Sequence, residues 1–84
     1  MSKRYTKVNL VDDILLQDIF SNMSKKAVTE FVEDFFQLIQ ERTAEGYEVN
    51  IPGFGKFFTR TLASGKIVPK FLAFKDFKDA IPQS

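Results

Sequence analysis

Cysteine and histidine are both absent from this chain of 84 residues, and the two gaps exclude more than any motif that is present. Without cysteine no disulfide can form. Without histidine as well, the usual zinc ligands are missing, and no metal or other cofactor is expected. The same gap removes the commonest general bases and nucleophiles. Glycine is scarce, with four copies, and none is arranged as a Walker or Rossmann phosphate loop. No run reaches the ~18 apolar residues of a membrane-spanning helix. Lys3, Arg4 and Lys7 make a basic start, but Asp12 and Asp13 interrupt the apolar residues beyond it. No secretory leader is therefore expected, and the expected location is the cytoplasm.

Carboxylates remain as candidates for chemistry. The neighbouring pairs Asp12/Asp13, Glu33/Asp34 and Glu45/Glu48 fall on hydrophilic helix or loop faces, where a solvated charged surface is the far commoner outcome than a catalytic pair. The inventory is that of a non-enzyme.

What the chain has in excess is phenylalanine, ten copies within an apolar content of 44%. A single domain this short buries only about 60–65% of its unfolded surface. Small scaffolds ordinarily need a disulfide, a metal or a partner subunit. With the first two excluded, association of subunits is the remaining means of hiding so many rings. Charge is uneven as well. The net charge is +1, but residues 1–7 carry +3, residues 8–48 carry −6 and residues 49–84 carry +4. Such a split points to one face for a polyanion and another for solvent. The alternative is that lysines simply gather in solvated strands and tails.

Apolar spacing predicts a helix over residues 8–20, with Val8, Val11, Ile14, Leu15 and Ile19 on one face and Asp12 and Asp13 in its early turns. Ser21 and Asn22 break it. Ser24 is a good N-cap for a second helix, with Met23 in the staple position before it. That helix runs to about residue 44 and stops at Gly46. Its apolar set, Val28, Phe31, Val32, Phe35, Phe36, Leu38 and Ile39, is wider than a monomer of this size needs. Strands are expected at about 48–51, 56–62 and 67–71, and a short helix at about 75–81 with Phe74, Phe77 and Ile81 inward. The whole reads as one domain, 1–84, with a basic tail over 1–6.

Residues 52–60, Pro-Gly-Phe-Gly-Lys-Phe-Phe-Thr-Arg, carry the sharpest functional signal. Two glycines bracketing a phenylalanine directly after a β-like run suit a tight turn with an anchor ring. Taken alone this is an ordinary hairpin turn. Met23-Ser24-Lys25-Lys26 lies upstream. Pro69-Lys70-Phe71 and the run from Lys75 through Phe77, Lys78 and Ala80 to Ile81 lie downstream. With these, the chain resembles the HU and integration host factor family of bacterial DNA-architectural, histone-like proteins. The resemblance spans roughly residues 6–81. It implies an α+β fold: a helical hairpin, a short three-stranded antiparallel sheet and a closing helix, built as an intertwined homodimer.

The resemblance also implies roles. The Gly53-Phe54-Gly55 turn would hold backbone amides against a phosphate, Arg60 would sit at the base of an arm, and Lys75 and Lys78 would hold phosphates on the flank of the body. Lys56, Lys66 and Lys70 join the DNA set by their position on the strands. Phe31, Val32, Phe35, Phe36, Ile39, Phe54, Phe57 and Phe71 are the expected dimer interface. Double-stranded DNA is the expected partner, which would make the protein nucleoid-associated in a bacterial or phage setting.

One feature departs from the family pattern. Between the Gly-Phe-Gly strand and the Pro-x-Phe strand the family places a long basic arm tipped by a wedging proline. Here only residues 61–68 intervene, Ser64-Gly65 is the expected two-residue turn, and Leu62 is expected opposite Ile67. Pro52, Pro69 and Pro82 all lie elsewhere. Binding without kinking is one expectation. The other is an interaction protein that dimerises with itself or with a full-length HU-type partner, as a possible antagonist, and does not bind DNA on its own.

Overall fold

The computed structural model describes residues 4–83; Lys3 and the rest of the first three residues of the expected tail lie outside the described residues. The chain order is α1 (Lys7–Leu15), a 3-10 turn (Asp18–Phe20), α2 (Lys25–Ala44), β1 (Val49–Ile51), β2 (Gly55–Thr61), β3 (Ile67–Ala73) and α3 (Lys75–Asp79). This is an α+β chain that divides into two compact units, Met1–Gln37 and Leu38–Ser84.

In the first unit α1 begins after Thr6, whose backbone amide donates to Asn9 Oδ1 at 2.9 Å. The helix stops at Leu15, short of the expected residue 20. Leu16 and Gln17 donate to the carbonyls of Asp13 and Ile14, the tightened i−3 pairing that ends helices. Gln17 then turns extended, with ψ 138. Ile19 therefore leaves the apolar stripe and stands exposed. Asp12 and Asp13 also fall late in the shortened helix, away from its first turn. Asp12 pairs with Lys25 at 3.0 Å. Tyr5 donates a hydrogen bond to Asp13. That bond first, then lost solvation and the charges of Asp13 and Asp12, holds the phenol above its ordinary pKa.

The expected N-cap of α2 is present, with Ser24 Oγ accepting from the Ala27 amide at 3.1 Å. The core of this unit is small: Val11, Val28 and Val32 are buried, with Ile14 and Leu15 packed against them.

In the second unit α2 ends as expected at Gly46, whose φ of 96 permits a double closure. Tyr47 donates to the Arg42 carbonyl and Gly46 to that of Thr43, the paired bonds of a Schellman stop. The sheet order is β1-β2-β3, antiparallel throughout. Between β1 and β2, Phe54 donates to the Ile51 carbonyl at 3.0 Å around Pro52 and Gly53, the latter at φ 77. Proline first and positive-φ glycine second is the residue order of a type II turn. The β2–β3 turn differs from the expected two-residue form. Gly65 donates to the Leu62 carbonyl, Leu62 donates to that of Lys66, and Gly65 takes φ 91. Three residues, 63–65, thus form the tip, as in a β-turn closed by a left-handed glycine. Leu62 consequently faces Lys66, and Ile67 pairs with Thr61. Ile81, expected inward, is exposed beyond the end of α3.

Gly55 lets β2 lie closely against β3. A Cβ there would lie 2.5 Å from both the Leu72 carbonyl oxygen and the Phe71 ring, whereas at Gly65 it would meet nothing within 4 Å. Overpacking of this kind costs about 1–3 kcal/mol. Gly55→Ala is expected to lower the urea midpoint by more than Gly65→Ala, whose cost is left-handed strain of about 1–2 kcal/mol. Paired denaturation curves check this.

Candidate nucleic-acid interface

Side chains alternate across a strand, so register sorts the sheet into two faces. On one face Val49 and Ile51 of β1 join Gly55, Phe57, Thr59 and Thr61 of β2 and Ile67, Pro69, Phe71 and Ala73 of β3. On the other face are Asn50 of β1, Lys56, Phe58 and Arg60 of β2, and Val68, Lys70 and Leu72 of β3. Lys66, opposite Leu62 at the tip, has the parity of this second face. The first face is apolar. The second gathers four cations.

The apolar face organises the Gly-Phe-Gly turn. Phe57 and Phe71 are cross-strand partners with ring centroids 4.8 Å apart. Phe54 reaches Phe71 at 5.3 Å and stacks on Phe77 of α3 at 5.1 Å. The Phe54 carbonyl also accepts from the Phe74 amide at 2.9 Å, which ties the turn to the start of α3. Phe54 and Phe71 nonetheless remain about two-fifths exposed.

Three features of this geometry bear on the phosphate-cradle expectation for residues 53–55. The Phe54 amide is already bonded within the turn. Gly55 lies inside the ladder between Ile51 and Ala73. At Gly53 the nearest atom to a would-be Cβ is a carboxylate oxygen of Asp76, at 3.6 Å. An acidic group beside the turn opposes an anion there.

The cations differ in availability. Lys56 lies 3.7 Å from Glu48 and 5.3 Å from the Phe58 ring centre. Lys75 is 86% exposed but bridges to Asp79 at 2.7 Å. Among the described residues, Arg60, Lys66, Lys70 and Lys78 form no ion pair. Carboxylates singled out in the sequence are mostly occupied at the surface: Glu33 pairs with Lys7 and Glu45 with Arg42. Among the described residues no three acidic side chains converge into a metal site, and no helix is long and apolar enough to cross a membrane.

The expected interface residues of α2 divide. Phe31, Phe35 and Phe36 are exposed, Phe31 by 63%, and Ile39 is partly buried. Val32 is different: at 7% exposure it belongs to the chain's own core with Val11 and Val28, which leaves it little area for a partner. Phe58 was missed as a functional candidate. Its signal was the period-two order Lys56-x-Phe58-x-Arg60, which places a ring between two cations on one strand face.

An α+β chain with a turn anchored by phenylalanine and a basic sheet face matches a known architecture. An HU mutant from Thermotoga maritima shares 29% sequence identity, covering 90% of this chain and 97% of that one, at TM-score 0.75. An HU–DNA cocrystal from Anabaena gives the same TM-score at 23% identity, over 90% of this chain and 96% of that one, and so shows the shared fold. The chain belongs to the family described as bacterial DNA-binding protein, whose model matches residues 5–67; the family is not one of enzymes. Two relatives are each named integration host factor subunit alpha. That of Neisseria meningitidis is 44% identical over 55 residues, 66% of this chain and 53% of the relative. That of Polaromonas naphthalenivorans is 40% identical over 58 residues, 69% of this chain and 45% of the relative. The chain thus spans about half the length of the curated relatives it matches. The family match ends at residue 67, whereas the structural likeness covers nearly the whole chain.

Pairing separates the cations experimentally. Retention on an immobilised sulfated polyanion is expected to fall more for Arg60→Glu or Lys70→Glu than for Lys75→Glu, since Asp79 already offsets Lys75. Elution salt for the three variants checks this.

Proposed function

We propose that the protein is a DNA-binding subunit that associates through its exposed apolar faces and meets duplex phosphates with the basic face of its sheet. The observation that carries this is the register, which brings Lys56, Arg60, Lys66 and Lys70 to one side of a single β-ribbon. Lys78, unpaired on α3, adds to the set. Family membership supports the same reading, as does the Anabaena HU structure, which was solved with DNA. Such contacts neutralise backbone charge and carry no base information, so the binding is non-specific. A protein acting this way sits on the nucleoid, in the cytoplasm.

Association is supported by exposure: Phe31, Phe35 and Phe36 on α2 and Phe54 and Phe71 on the sheet are all substantially exposed. Phe31, Phe35, Phe36 and Ile39 on α2, and Phe54, Phe57 and Phe71 on the sheet, are the residues we assign to that association.

The ribbon ends at Ala63-Ser64-Gly65, without a proline or a large apolar residue to wedge between base pairs. Sharp kinking by intercalation is therefore outside its means.

A second reading is favoured by the charge of −6 over residues 8–48 and by relatives named as a subunit. In that reading the chain pairs with a full-length HU-type protein and blunts it. Native mass spectrometry of a mixture separates the two: exclusive homodimers would remove the second reading.

For the first, fluorescence anisotropy of a labelled random duplex at several salt concentrations is the test. Saturable binding is expected, with a log–log salt slope of roughly −4 to −5 for four to six phosphates neutralised. A folded protein that leaves the duplex free at low salt would overturn it. Ring closure of short linear duplexes is expected to stay at the level of free DNA.

A further inference from the structure

We infer that the basic face of the sheet is also a stacking platform for single-stranded nucleic acid, centred on Phe58. The inference rests on the reading that this face meets nucleic acid, and it names a second form of that ligand.

Phe58 is set apart from the other sheet phenylalanines. Phe54, Phe57, Phe71 and Phe77 form one continuous set of ring contacts on the apolar face. Phe58 has the opposite parity and makes no ring contact among the described residues. Its surroundings are cationic instead. Lys56 and Arg60 are its same-face neighbours on β2, about 7 Å along the strand in each direction. Lys70 is its cross-strand partner, and Lys56 Nζ lies over its ring. Leu72 and Val68, opposite Lys56 and Arg60, complete an apolar strip through the middle of the charges. Leu72 is nearly half exposed.

Phosphate contact alone does not call for such a strip. A duplex keeps its base faces stacked inside and exposes only base edges, in the grooves, beside its sugars and phosphates. An unpaired strand offers both a backbone for cations and base faces for an aromatic ring. Phe58 is partly buried, and a ring set between cations on a sheet face is an arrangement on which single strands are held. Stacking is tolerant of sequence because every base has a π-face, which agrees with a site whose charged groups are mainly cations, Glu48 beside Lys56 being the exception. The short hairpin is compatible with this ligand, since a single strand has no groove for an arm to enter.

The test uses one labelled DNA strand, the same strand annealed to its complement, and an RNA strand of the same sequence. Each is titrated with the wild-type protein, Phe58→Leu, Phe58→Ala and Lys70→Glu, with circular dichroism confirming the fold of each variant. Leucine keeps an apolar side chain and removes the π-face, so it separates stacking from packing. Phe58→Ala is expected to weaken both single strands by roughly 5- to 150-fold, the range for loss of one base–aromatic stack. Phe58→Leu is expected to weaken them nearly as much, and both variants to leave the duplex within about twofold. Lys70→Glu is expected to weaken all three ligands. An equal loss on single strand and duplex, or none, from a folded Phe58→Leu protein overturns the platform. Wild-type protein that binds the duplex and neither strand overturns the platform alone. Protein that binds none of the three overturns the proposed function with it.

Discussion

The described residues leave much apolar surface exposed, and the other features of the molecule stem from how that surface is met. Among the described residues its buried hydrophobic core is three valines in the helical unit. Cysteine and histidine are absent, so neither a disulfide nor an ordinary zinc site can add stability from within. Against that small core stand Phe31, Phe35, Phe36 and Leu38 along α2, and Phe54 and Phe71 on the sheet, all substantially exposed. Apolar surface contributes about 25 cal/mol per Å² when it leaves water, so covering these faces would couple association to folding, and a second copy is the occupant we propose for them.

That constraint also fixes what the sheet can do. One face is given over to phenylalanines and to the turn that anchors them. Gly55 matters here, because only the absence of a side chain lets the Phe71 ring and the Leu72 carbonyl come so close to β2. Alternation then leaves the opposite face for charge. Lys56, Arg60, Lys66 and Lys70 are near one another because the apolar partners need the other side, and the basic surface is a consequence of the same pairing. In the Gly-Phe-Gly turn the central amide is bonded within the turn and a carboxylate borders Gly53.

Much of this was legible in the residues. Ser24 and Gly46 marked the ends of α2 because capping chemistry is local. The three strands fell near their expected places, and the Gly-Phe-Gly and Pro-Lys-Phe runs were enough to indicate the family. The misses were those that local pattern cannot decide. The apolar spacing of Ile19 continued a helix that the backbone at Gln17 interrupts. Ser64-Gly65 fitted a two-residue turn equally well, and only the hydrogen bonds showed a three-residue tip that sets Leu62 against Lys66. Val32 had the same character as Phe31 and Phe35 in the sequence, and its place in the intrachain core depends on Val11 from a different helix. Phe58 was hidden by abundance, one ring among ten, until register separated its face from that of Phe57.

The most direct measurement of the central claim is thermal unfolding across a wide range of protein concentration, with mass followed by sedimentation equilibrium. A dimer is expected, with a midpoint temperature that rises steadily with concentration because unfolding and dissociation are one step. A monomer that unfolds cooperatively at a midpoint independent of concentration would contradict it, and would require the exposed phenylalanines to be covered within a single chain.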